Sequence, residues 1–115
     1  MTDRELLELA AKAAGLKNYQ WSEKITDYDS PHHGSPALYP SSIDGQCDSW
    51  NPLTDDGDAL RLAVTLGLQV LHFATVTTVK PLYAYWGCDE RHDGDPYAAT
   101  RRAIVRAAAE VGKQM

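Results

Sequence analysis

The stretch Ser49–Val64, SWNPLTDDGDALRLAV, narrows the possible folds more than any other part of the chain. Pro52 locks its own φ and lacks a donor, so the backbone turns there. Thr54 then offers a capping hydroxyl, and Asp55, Asp56 and Asp58 follow at the positive end of a helix dipole, which favours each acid by about 0.3–1 kcal/mol. Ala59, Leu60, Leu62, Ala63, Val64 and Leu66 form a broad apolar stripe that ends at Gly67. The spacing predicts a helix over residues 55–66, with the Trp50 ring folded over its start. The same acids admit a second reading as a divalent-metal cluster; helix initiation is preferred, because it gives every residue type in the stretch a place.

Two more helices are legible. Thr2 and Glu5 form a capping box ahead of Leu6, Leu9, Ala10 and Ala13, and Gly15 supplies a stop. Asp95 and Pro96 are a side-chain cap and a first-turn proline, after which Tyr97, Ile104, Val105, Ala108 and Val111 mark a buried face running to Gly112. Tyr19, Trp21 and Ile25 alternate with polar residues, as in a strand covered on one side from Tyr19 to Ile25. Residues 68–79 read as one strand and residues 81–86 as a second, broken at Lys80 and Pro81 and paired as an antiparallel hairpin.

Between Asp27 and Ser49 the composition turns to Ser, Pro, Gly, His and Asp, with an apolar island at Ala37, Leu38 and Tyr39. That is long for a connection inside a compact domain, and it leaves room for a hairpin arm. The element order is therefore helix, strand, loop or hairpin, helix, strand, strand, helix. A small, mostly antiparallel sheet needs helices to cover it, so the expected class is α+β, an α/β/α three-layer sandwich in a single domain over residues 1–115.

Charge narrows the partners. With 11 Lys and Arg against 16 Asp and Glu, the formal net charge is -5. Nonspecific phosphate binding needs clustered cations, so no nucleic-acid partner is expected. Cys47 and Cys88 stand far apart without a CxxC, and no leader-like or membrane-spanning apolar run is present, so the expected setting is the cytoplasm, away from the membrane.

Trp50-Asn51-Pro52-Leu53, the Asp-rich turn with Asp58-Ala59, and the late helix Tyr97-Ala98-Ala99-Thr100-Arg101-Arg102-Ala103-Ile104 together resemble the phage ABA-sandwich domain family. More distantly the aromatic-Asn-Pro turn is similar to that of NinX-like phage proteins. The resemblance covers most of the chain except residues 27–49. It implies an α/β/α sandwich of phage or prophage origin, and it transfers no activity and no site residue.

Several candidate sites remain. Cys88-Asp89-Glu90-Arg91-His92-Asp93-Gly94-Asp95 fails as a calcium loop, because Arg91 occupies a ligand position and Thr100 stands where a bidentate Glu is needed. As a zinc site it offers only Cys88 and His92, so a turn between strand and helix is preferred and no metal or other cofactor is expected. His32 and His33, beside Asp29, are read as solvated loop residues; joined to Cys47 or Asp44, they would form a metal or acid–base site. With Tyr39 they form the candidate protein-binding surface. His72 interrupts an apolar strand, either as a partly buried imidazole with a partner or as a base facing a cleft. With Tyr83, Tyr85 and Arg101 it makes a candidate small-ligand site suited to a base and a phosphate. Arg101, Arg102, Arg106 and Lys113 are assigned to the solvated face of the last helix.

No nucleophile elbow, phosphate loop or HExxH occurs. The leading expectation is a nonenzymatic protein-binding module acting on a host or phage protein, as inhibitor or adaptor. A small-ligand binder or minor enzyme is the alternative, and self-assembly a third possibility.

Overall fold

In a computed structural model, which describes residues 1–41 and 48–115, three helices and two small antiparallel sheets pack together in the expected α+β class. The elements run α1 (Asp3–Ala13), β1 (Tyr19–Ser22), β2 (Ala37–Pro40), α2 (Asp56–Leu66), β3 (Leu68–His72), β4 (Val76–Pro81), β5 (Cys88–Arg91) and α3 (Pro96–Lys113). Instead of one sheet there are two, β1-β2 and β3-β4-β5.

Helix α3 is the element around which the rest is arranged. It packs against α1, α2 and all three strands of the larger sheet. Ala99, Ala103, Ala107, Ala108 and Ala109 are buried along it, as are Ile104, Val105 and Gly112. Small side chains let neighbouring backbones approach closely. The nearest approach is at Gly112, where an added Cβ would lie 2.2 Å from the Leu9 carbonyl oxygen. Gly112 is thus a contact point within α3, and the helix continues to Lys113. Tyr97, expected on the buried face, is 71% exposed.

The capping box of α1 is present, with the Glu5 amide donating to Thr2 Oγ1 and the Thr2 hydroxyl donating to Glu5 Oε1. Helix α2 is capped by Asp55, whose carboxylate accepts from the Asp58 amide at 2.8 Å; this corrects the assignment of Thr54. A carboxylate at that position also meets the dipole, which a hydroxyl cannot do. Gly67 closes α2 in the left-handed region at φ 64°. Only part of the expected α2 stripe is covered: Ala59, Leu62 and Ala63 are buried, whereas Leu60 and Val64 are 65% and 73% exposed.

The apolar island at residues 37–39 is a strand and pairs with β1, setting Trp21 opposite Leu38. Strand β1 ends at Ser22, short of the expected Ile25, which is fully buried and bridges to His33 instead. The long strand expected over residues 68–79 is two strands joined at residues 73–75, with the Phe73 amide donating to the Val76 carbonyl. Extended, twelve residues would span roughly 40 Å, about twice an ordinary strand, so the chain folds back although Phe-Ala-Thr carries no turn signal. Residues 82–87 then form the next turn, and the third strand is Cys88–Arg91, within the segment expected to be a polar loop.

The basic residues of α3 bridge elements where a solvated face was expected. Arg101 pairs with Asp56 of α2, Arg102 with Asp3 of α1, and Arg106 with Glu90 of β5, while Lys113 pairs with Glu110 of its own helix. The exposed pairs among them, Arg102–Asp3 and Lys113–Glu110, contribute at most about 1 kcal/mol each, so they fix orientation more than stability.

Two outcomes follow. Gly112→Ala gains about 1 kcal/mol of helix propensity, yet the clash with the Leu9 carbonyl costs about 1–3 kcal/mol and forces α1 from α3. The net is a lowered thermal midpoint by scanning calorimetry; an unchanged or raised midpoint would show that the helices separate freely. Burial pushes the Cys88 thiol and the Tyr19 phenol above their ordinary 9.0 and 10.0. The protonated forms are favoured by folding, so their contribution is complete below pH 9.0 and is lost as pH rises through the raised values. Urea midpoints should hold up to about pH 9 and fall above it, and Cys88→Ala should flatten part of that fall.

Candidate functional site

The Asp-rich turn contains a buried polar centre. Asp58 is 6% exposed and His32 5% exposed, and His32 Nε2 lies 3.0 Å from Asp58 Oδ2. An ionised carboxylate only accepts, so that nitrogen carries the hydrogen. The same oxygen accepts from the Asn51 amide at 3.0 Å, and Oδ1 accepts from Arg61 at 2.6 Å. Asn51 continues the network: its side-chain amide donates to the Pro36 carbonyl at 2.8 Å and its Oδ1 accepts from the Leu53 amide at 2.9 Å. The Asn-Pro turn, the loop carrying His32 and the start of α2 are thereby tied to one carboxylate. Trp50 joins the same region through a two-way backbone bridge to Leu38.

Ser30, His32 and Asp58 invite comparison with a hydrolytic triad, but the geometry differs. The Ser30 hydroxyl accepts from the His32 backbone amide at 3.1 Å and shares a 2.6 Å hydrogen bond with Ser49. It does not address the imidazole ring, as a nucleophile activated by a base must. The centre is structural, and His32 is a locked residue instead of a solvated one. His33 is exposed and stacks on the ring of Tyr28 at 4.5 Å, and the Tyr39 hydroxyl donates to Gln20. Of the three candidate protein-binding residues, His32 is buried, Tyr39 is half-buried in β2, and His33 has an exposed side chain although its backbone bridges to Ile25. Asp44 and Cys47 lie outside the described residues, among which no group of three His, Cys, Asp or Glu side chains is placed to hold a metal.

The larger feature is a groove of about 580 Å³ where α2, β3 and the first turns of α3 meet. Asp56, Ala59 and Leu60 form the α2 wall, Tyr97, Thr100 and Arg101 the α3 wall, and Val70 and His72 the strand side. Its origin is in the register. Val70 is opposite Val79 and His72 opposite Thr77, so both point to the helix-covered face. Val79 and Thr77 are fully buried, whereas Val70 is 41% exposed and His72 is exposed on the edge strand. His72 stacks on His92 at 4.7 Å, and His92 Nε2 meets the Thr77 hydroxyl at 2.8 Å, which in turn meets Thr100.

The structure brings together two of the four residues of the expected ligand site. His72 and Arg101 share the groove. Tyr83 and Tyr85 are 96% and 100% exposed in the turn between β4 and β5, at the opposite end of the sheet from His72. Arg101 is already engaged, donating to the Leu53 carbonyl at 2.9 Å and to Asp56 at 2.6 Å. Its charge and its fork are used in joining α3 to the α2 start, which leaves an apolar groove instead of an anion clamp. Cys88 is buried against the core and His92 is held by Thr77, so these two are directed to packing and hydrogen bonding.

No protein-family model, curated protein or solved structure matches this chain.

The buried centre generates a ranked expectation. Asp58→Ala leaves His32, the Asn51 amide and Arg61 without their acceptor and should cost about 3–5 kcal/mol in urea unfolding. Asp55→Ala removes the α2 cap and a 3.9 Å ion-pair partner of the exposed Arg61, and should cost about 0.5–2 kcal/mol. An Asp58 variant no less stable than the Asp55 variant would remove Asp58 from the centre of the network.

Proposed function

We propose that this chain is a nonenzymatic phage or prophage accessory protein that acts by docking another protein in the groove between α2, β3 and α3. The observation that carries this reading is the collection of exposed apolar side chains lining one groove, Leu60 at 65%, Val70 at 41% and Tyr97 at 71%, with Val64, 73% exposed, one helical turn from Leu60 on α2. Contiguous apolar surface with an aromatic at its rim is the usual mark of a protein contact. The phage assignment rests on the aromatic-Asn-Pro turn and the late helix that carry the family resemblance. Burial of His32 against Asp58 removes one candidate residue of the 27–49 segment from the surface, which supports the groove as the contact.

The small-ligand reading predicts a different result and separates cleanly from this one. Arg101 is spent on Asp56 and Leu53, and the two tyrosines stand at the far end of the sheet. Millimolar nucleotides should therefore leave the thermal midpoint unchanged; a saturable rise of several degrees would favour the ligand reading. For the docking reading, the tagged wild-type chain and Leu60→Asp are compared in affinity capture from a bacterial lysate. Leu60 is exposed, so the variant should keep its fold, by circular dichroism, and lose at least tenfold of the specifically captured protein. Equal capture by both would place the contact elsewhere.

A further inference from the structure

Among the described residues, strand β3 is an edge strand, paired with β4 on one side only. An edge presents a row of backbone donors and acceptors to any strand that approaches, and proteins ordinarily protect such edges with charges, proline, bulges or a covering element. The other edge of this sheet follows that practice: β5 is Cys-Asp-Glu-Arg. Strand β3 is Leu-Gln-Val-Leu-His, with no Lys, Arg, Asp, Glu or Pro, and four of its five residues are exposed. Its flank is apolar on both faces, Val70 towards the groove and Leu71, 38% exposed, towards the other side.

We infer that a second copy of this chain pairs antiparallel with β3 about a two-fold axis at Val70, joining two three-stranded sheets into one of six strands and completing the groove. The inference builds on the groove as a docking surface and names what closes its open side. The segment is self-complementary under that axis. Val70 falls opposite Val70 of the copy, Gln69 opposite Leu71, and Leu68 opposite His72, so each face of the joined sheet is continuous. An axis perpendicular to the sheet keeps both α2 helices on the same side, with Leu60 and Val64 of each copy exposed there. The strand alone is too short for a stable interface of about 800 Å² per partner, and these helix residues supply the apolar area it lacks.

The lining of this face adds no charge to oppose a copy, although each chain carries a net charge of -5. The ionised groups lining the groove, Asp56 and Arg101, neutralise each other at 2.6 Å, so two such faces meet without like-charge repulsion from their linings. An extended segment of an unrelated protein would satisfy the same backbone edge, and it is distinguished by what the chain does alone.

Sedimentation equilibrium of the purified chain from ~1 µM to ~1 mM should show the mass rising from 12.7 kDa towards twice that value. Val70→Lys should remain at the monomer mass throughout, with unchanged circular dichroism; Gln69→Lys, on the same edge and the opposite face, serves should the first variant unfold. Val70→Cys should form an intermolecular disulfide on mild oxidation, because directly opposed residues of an antiparallel pair lie within disulfide range at about 4.5–5.5 Å between Cα atoms. Tyr85→Cys, at the far end of the sheet, should not. A wild-type chain that stays monomeric overturns the inference, as does a dimer that survives both lysine substitutions or fails to cross-link through Val70→Cys. Leu60 serves both contacts, so the mass of the wild-type chain separates them: a monomeric wild-type chain whose captured partner is lost in Leu60→Asp would overturn the self-pairing and leave the docking reading standing.

Discussion

The close approach of α3 to the elements around it is the constraint on which the structure depends. A helix can touch α1, α2 and a three-stranded sheet together only if its side chains are small wherever a neighbour's backbone comes near. Five buried alanines and Gly112 meet that condition, and the Leu9 carbonyl lies where any Cβ on Gly112 would have to go. The larger residues, Ile104 and Val105, fill the remaining space. Arg101 then extends from the same helix to α2, Arg102 to α1 and to Glu90 of β5, and Arg106 to the same Glu90. Packing sets the distances and the ion pairs set the rotation, because exposed pairs are weak in energy but strict in geometry.

The second organising point is Asp58. A carboxylate removed from water is tolerable only with its oxygens occupied, and here they are occupied by His32, the Asn51 amide and Arg61. The arrangement binds a loop, a proline turn and a helix start together with polar contacts where apolar side chains are scarce. It also explains why residues that look like chemistry in isolation do not assemble into a reactive group. The serine hydroxyls bond to each other and to backbone, and the imidazole is aimed at a carboxylate inside the molecule.

Much of the fold was legible because its signals are local. The capping box at Thr2 and Glu5, the Asp95-Pro96 start and the left-handed Gly67 each act within one helical turn, and each is found where the residues point. The turn at residues 73–75 was not legible, because Phe, Ala and Thr have no turn preference and only the length of the sheet requires a reversal there. Leu60 and Val64 carried the same apolar signal as Leu62 and Ala63. Which of them is covered depends on where α3 and the sheet lie, and a periodic pattern around a helix does not record that. The candidate site divided in the same way: His72 and Arg101 meet through strand register and helix packing, whereas Tyr83 and Tyr85 are carried away by a turn placed later than expected.

By itself the sequence determined the number and type of helices, the α+β class and the absence of any recognisable catalytic motif, since propensity, capping and periodicity are properties of a few neighbouring residues. Only the tertiary structure decided that β3 is an edge, that α2 leaves Leu60 and Val64 in the open, and that His32 belongs to Asp58. Those are relations between segments far apart in the chain, and they arise from how much surface three helices can cover. Three helices around one alanine-rich centre are enough to bury Val79 and Thr77, and too few to bury Val70.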